Sequence, residues 1–124
     1  FRPRNTSAQK MKKENGAPAL SLEPAPDILA AVAERRRSRG RPRVVVGFAA
    51  ETQDLLANSQ TKLREKALDL IVANDISQAD SGFGSDTNRV TLIDANGRVE
   101  ELPLLSKGEV AQHIVARVGA LLAK

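Results

Sequence analysis

Lys62 and Lys66, four residues apart in the run TKLREK, are the side chains of this sequence best spaced to act together on a ligand. On a helix they stand one turn apart beside Leu63, at the edge of the buried face, so both ammonium groups can reach a common point. Two cations fixed at one point suit a polyphosphate. A solvated helix face accounts for the same spacing, and the pair alone does not choose between them. A second basic group, Lys10, Lys12 and Lys13 of QKMKK, falls in the stretch from Phe1 to Pro18. That stretch is punctuated by proline and glycine and has no apolar period. It reads as a mobile loop able to fold over an anion, or as a solvated basic tail.

Other runs offer weaker chemistry. The helix opening at PDIL (Pro26, Asp27, Ile28, Leu29) presents free backbone N–H groups and a positive dipole end, as every helix does. In GFAAE, small residues flank Phe48, so a flat group could approach the backbone and rest on that ring; close helix–strand packing explains the same glycine and alanines. The dinucleotide fingerprint G-x-G-x-x-G is absent. The arginine cluster Arg35, Arg36, Arg37, Arg39, Arg41 and Arg43 sits where a helix end favours cations and reads as a solvated connection. His113 falls beside the apolar stripe of its helix, a surface position. Asp75, Asp80 and Asp86 do not match a calcium-loop spacing. No nucleophile, base and orienting group can be assembled.

These residues need a scaffold, and its pattern is α/β. ALSLEP alternates as a half-buried strand. APDILAAVAERRR turns to helical spacing with Ile28, Leu29 and Val32 as its stripe, Pro26 in the first turn and Asp27 at the positive end of the dipole. Val44, Val45 and Val46 form a β-branched run ending at Gly47 and Phe48, the pattern of a parallel strand near the sheet centre. Thr52 is placed to cap a helix carrying Asp54 in its first turn and Leu56, Leu63 and Ala67 on its inner face; LDLIVAND follows as a buried strand. Strand, helix and strand make a right-handed crossover of a parallel sheet, whose carboxyl rim is where ligands bind. After the polar loop SQADSGFGSDTN, residues 89–103 read as a hairpin around Asn96-Gly97. Ser106 and Glu109 then form a capping box for a last helix lined by Val110, Ile114, Val118 and Leu121.

Composition narrows the setting. With 124 residues, 41% of them apolar, the chain supports one core. It has no cysteine, which excludes disulfides and thiolate chemistry and fits a reducing, cytoplasmic compartment. No apolar run is long enough to span a membrane. The start at Phe1 inside a polar stretch suggests a piece of a longer polypeptide. Residues 1–43 hold eleven Lys/Arg against four Asp/Glu, and the remainder eight against eleven, so the basic N-terminal third attracts an anion. With three aromatics and neither Tyr nor Trp, a polynucleotide lacks its usual stacking platforms.

Taken in order, KMKK, PAPDIL, VVVGFAAET, KLREKALDLIVAND, GFGSDTN and LPLLSKGEVA resemble phosphopantothenate–cysteine ligase, the second half of the bifunctional coenzyme A biosynthesis protein that also carries a decarboxylase. The likeness covers almost the whole chain. It implies a Rossmann-like three-layer parallel sheet with an added hairpin that serves dimerisation. It also implies a flexible basic active-site loop at residues 1–18 and a CTP-binding part at 19–124. The family's reaction uses CTP with Mg²⁺ or Mn²⁺ to activate 4′-phosphopantothenate as an acyl-cytidylate, which L-cysteine then captures.

Carried over by motif, Lys10 is the catalytic lysine that contacts the nucleotide phosphates. Pro26, Asp27, Ile28 and Leu29 face the triphosphate, Phe48 contacts the nucleotide, and Lys62 and Lys66 clamp CTP. The family's catalytic Asn, and an acidic residue that helps hold metal and nucleotide, would lie upstream of Phe1, so the metal ligands stay unassigned. The expectation is CTP binding, retained or weakened, without turnover by these residues alone. A homodimer through the ligase domain is expected, with a higher oligomer when it is fused to the decarboxylase. The competing readings are a basic nucleic-acid-binding module and a non-catalytic nucleotide-binding domain.

Overall fold

The computed structural model describes residues 1–6, 19–77 and 84–123. Two short strands, β1 (Arg2–Pro3) and β2 (Leu22–Glu23), pair antiparallel and are tied by Arg2 Nε to Glu23 Oε1 at 2.7 Å. Helix α1 (Ile28–Arg39) follows, capped by Asp27 and closed by Gly40 in the left-handed region at φ 65°, where the missing Cβ removes the steric penalty. Pro26 therefore precedes the cap instead of lying in the first turn. Leu29 and Val32 pack against the core, but Ile28 is 76% exposed, so the expected three-residue stripe loses one member.

Strand β3 (Val46–Glu51), helix α2 (Leu55–Glu65) and strand β4 (Leu70–Asp75) form the expected crossover, with β3 and β4 parallel from Val46↔Leu70 to Glu51↔Asp75. Strand β5 (Thr87–Asn88) comes next. Then β6 (Val90–Asp94) and β7 (Val99–Glu101) form the expected hairpin, followed by β8 (Leu105–Ser106), which pairs with β5, and helix α3 (Lys107–Leu122). The Asn-Gly turn works as its composition predicts: Gly97 sits at φ 84°, and Asp94 Oδ1 accepts the N–H groups of Asn96 and Arg98 at 2.9 and 3.1 Å. Ser106 and Glu109 close the predicted capping box of α3.

The main sheet has the order β3-β4-β6-β7. Two expectations change here. The sheet is mixed, since β6 runs antiparallel to both β4 and β7, so a parallel sheet is too simple a description. The hairpin is also no appendage, because every residue of β6 is buried between two partners and, of its two strands, β7 alone lies at an edge among the described residues. Among the described residues strand β3 lies at the other edge of this sheet, not at its centre.

Apolar clusters form on both faces. Val45, Ala49, Leu63, Leu68, Ile71 and Ile93 pack beneath α1 and α2; Leu70, Val72, Val90, Leu92 and Val110 pack beneath α3. Thr52 does not cap α2. Asp54 occupies the cap position at φ 48° without a side-chain cap bond, and the inner face is Leu55, Ser59 and Leu63, while Leu56 is exposed and Ala67 lies beyond the helix end. Among the described residues, no helix is long and apolar enough to cross a membrane.

Candidate functional site

Two lysine–carboxylate pairs lie on the α1–α2 face of the sheet. The first begins at Asp27, placed at the start of α1 by the extended backbone after Pro26. Its Oδ1 accepts the N–H of Ala30 at 3.0 Å, and its Oδ2 pairs with the ammonium of Lys66, which stands at the end of α2. The Lys66 hydrogen bond, followed by the Ala30 N–H, holds the Asp27 carboxyl below its ordinary value, and the same bond raises Lys66. One carboxylate thus occupies both the first turn of a helix and a lysine ammonium, the two groups that a phosphate would take.

The second pair forms at the end of β3. Residues alternate along the strand, so Val45, Gly47, Ala49 and Glu51 face α2, and Val46, Phe48 and Ala50 face the α3 side. Glu51 Oε1 pairs with Lys62, and Asn58 Nδ2 donates to Glu51 Oε2 at 3.4 Å and to Gln53 O at 3.0 Å. The Glu51 side chain is 10% exposed, whereas that of Lys62 is 49% exposed.

The two lysines are thus engaged separately in this state. Lys62 is drawn to β3 and Lys66 to α1, each by its own carboxylate. The four charges sum to zero, so an incoming anion meets ammonium groups already engaged. Phe48 is 73% exposed and lies on the opposite face of the sheet. A ligand touching both the ring and the lysines must reach round the end or the edge of β3. Leu29 is partly buried against the core, leaving Pro26 and Ile28 as the exposed apolar residues of PDIL. Lys10, with Lys12 and Lys13, lies outside the described residues. Among the described residues, no three His, Cys, Asp or Glu side chains come together as a metal site.

The packing explanation for the small residues of GFAAE holds for Gly47 and Ala49. A Cβ on Gly47 would come 2.4 Å from Leu68 Cδ1, and Ala49 is buried in the core. It does not extend to Ala50 or Phe48, which face outward. The arginine cluster is a scaffold in part: Arg36 grips Asp69 through both oxygens at 2.7 and 2.8 Å and reaches the carbonyls of Ala67 and Arg43. Asp69 also accepts the N–H of Val45 at 2.7 Å. Arg43 donates to the Leu122 carbonyl at 2.7 Å. Sequence spacing gave no sign of these bonds, which span 33 and 79 residues. His113 is exposed on α3, and Asp75 accepts from the N–H and hydroxyl of Ser77, which pulls its carboxyl down, the hydroxyl contributing most.

A cleft of about 560 Å³ opens at the start of α2, lined in part by Asp54, Leu55, Asp75, Arg89, Thr91 and Glu101. None of the sequence-derived site residues among the described residues lines it. Among the described residues its walls carry three carboxylates against one guanidinium, the wrong balance for a triphosphate, so volume and charge point to different places. For a phosphate ligand, charge decides.

The family model described as the DNA/pantothenate metabolism flavoprotein C-terminal domain matches residues 1–122. The coenzyme A biosynthesis bifunctional protein CoaBC of Bacillus subtilis is 42% identical over 98% of this chain and 29% of its own length. A protein of unknown prokaryotic origin named cysteine/cysteine sulfinic acid decarboxylase is 38% identical over 95% of this chain and 32% of its own. The crystal structure of the C-terminal domain of a CoaBC protein superposes with a TM-score of 0.68 at 36% identity, covering 84% of this chain and 45% of that one. The chain thus spans about a third of the length of these curated relatives.

Proposed function

Because the chain belongs to the DNA/pantothenate metabolism flavoprotein C-terminal domain family, we propose that it is the nucleotide-binding part of a CTP-dependent phosphopantothenate–cysteine ligase of coenzyme A biosynthesis, built on a Rossmann-like framework. In that reaction a carboxylate oxygen of 4′-phosphopantothenate bonds to the α-phosphorus of CTP as pyrophosphate leaves. The amine of L-cysteine then attacks the acyl carbon, gives up a proton, and displaces CMP.

The part of this chain is electrostatic. Lys62 and Lys66 hold phosphate oxygens, the first turn of α1 adds backbone N–H groups from the Ile28–Leu29 end, and Phe48 offers a surface for the nucleoside. Lys10 is assigned to the phosphates on which charge develops as pyrophosphate departs. The observation that carries this reading is Asp27, whose carboxylate already holds a helix N-terminus and Lys66 together around an anion.

Mg²⁺ or Mn²⁺ is the expected companion of CTP. The carboxylates beside the lysines are both engaged by ammonium groups, so the described residues do not fit a ready-made metal cage. Homodimerisation is assigned to the β6–β7 hairpin, whose outer strand β7 has an unpaired edge among the described residues. The cytoplasm is the proposed location.

Calorimetric titration with CTP and Mg²⁺ tests the proposal. Lys62→Ala and Lys66→Ala should each weaken binding by roughly tenfold or more, the size of a lost charge-assisted hydrogen bond. An absence of binding, or affinity equal to that of the wild type in both variants, overturns it. Salt-sensitive oligonucleotide binding indifferent to Lys62→Ala would favour a nucleic-acid module instead.

A further inference from the structure

We propose that Glu51 is a positioning residue: it anchors Lys62 so that part of its ammonium faces an incoming phosphate from a fixed place. This rests on the nucleotide-binding reading above. The two lysine pairs differ in burial. Asp27 and Lys66 are both open to solvent, with side chains 46% and 34% exposed, so an anion can take Lys66 away from its partner. Glu51 is nearly covered, at 10%, and only its lysine emerges, at 49%.

Glu51 is itself held from two sides. It is the last residue of β3, its carbonyl accepts the N–H of Ile76 at 3.1 Å, and its second carboxylate oxygen meets Asn58 one helical turn before Lys62. Long side chains on a helix lean toward its N-terminus. Lys62 therefore reaches back along α2 toward the carboxyl rim of the sheet, where parallel-strand loops receive ligands. An ammonium has three N–H donors. One meets Glu51, leaving the others to meet oxygens of a ligand. A free lysine would have to lose rotamer freedom on binding, and the anchor removes part of that loss in advance.

Anchoring and simple charge compensation make opposite predictions. If Glu51 only neutralises Lys62, removing its charge frees an ammonium and tightens anion binding. If it positions Lys62, the same change loosens binding. The test uses Glu51→Gln and Glu51→Asp in the full 124-residue chain, with melting temperature as the check that each folds. Residue-resolved mass spectrometry after brief treatment with an amine-acylating reagent reports the pair without nucleotide. Calorimetry with CTP and Mg²⁺ reports its consequence.

The expected result for Glu51→Gln is faster acylation at Lys62, unchanged acylation at Lys66, and CTP affinity about tenfold weaker, as an ion pair becomes a weaker ammonium–amide hydrogen bond. Glu51→Asp should recover part of the affinity. Unchanged Lys62 acylation overturns the pair itself. Faster acylation with equal or tighter CTP binding overturns the positioning role while leaving the nucleotide reading intact. A wild-type chain that shows the acylation contrast but does not bind CTP overturns the nucleotide reading, and the positioning role with it. Should Glu51→Gln not fold, Glu51→Asp carries the same arms, with a smaller loss of affinity expected and equal or tighter binding overturning the role.

Discussion

Asp27 and Lys66 lie 39 residues apart in sequence and join the start of α1 to the end of α2 through one carboxylate. The same carboxylate caps α1, so the helix start and the lysine share an anion supplied by the protein. A phosphate arriving there replaces a like charge instead of filling a cationic gap. Binding is thus an exchange of partners, and its energy is smaller than a count of positive groups suggests.

The pair also sets a pH dependence. Asp27 is held below its ordinary carboxyl value in the folded chain, so its contribution to stability is present above the unfolded value and is lost as pH falls through the folded one. Lys66 is raised, so its contribution is present below the ordinary lysine value and is lost as pH rises through the folded one. Thermal melts of the wild type and Asp27→Asn should differ at pH 7 and converge as pH falls below about 4. A gap that stays constant down to pH 3 would contradict the pairing.

Ser59 is fully buried on the inner face of α2, and its hydroxyl has no hydrogen-bond partner among the described residues. Removing the hydroxyl deletes an unsatisfied group and improves helix propensity, so Ser59→Ala should stabilise the chain by about 1 kcal/mol. Urea denaturation checks this; a lower midpoint would show that Ser59 has a partner in solution.

Gly47→Ala tests the close approach of β3 to the α2–β4 connection. The new methyl would overlap the tip of Leu68, a side chain only 4% exposed that cannot swing into solvent without leaving the core. A loss of about 1–3 kcal/mol is expected from overpacking. Stability equal to the wild type in urea melts would mean that Leu68 has room to yield.

Local signals predicted local structure well. The Ser106–Glu109 box, the Asn96-Gly97 turn and the apolar runs of β3 and β4 each specify their element from within a few residues, and all are present. The errors arise where distant partners decide. The run Val44–Val46 is packed on both faces as its composition predicts, yet it also reads as central, and among the described residues β3 has β4 as its one neighbour in this sheet. Thr52 has the chemistry of a cap, but the backbone turns into α2 through a left-handed Asp54. Hydrophobic alternation cannot indicate that β6 would enter the sheet antiparallel. Residue types located the two lysines, while their carboxylate partners, 11 and 39 residues away, follow only from the fold.

A crystal grown with CTP and Mg²⁺ would test the central claim most directly. The account predicts that the triphosphate takes Lys66 from Asp27 and meets the outward face of Lys62, with the nucleoside beside Phe48. Bound nucleotide elsewhere, or no nucleotide with both lysines still on Asp27 and Glu51, would contradict it.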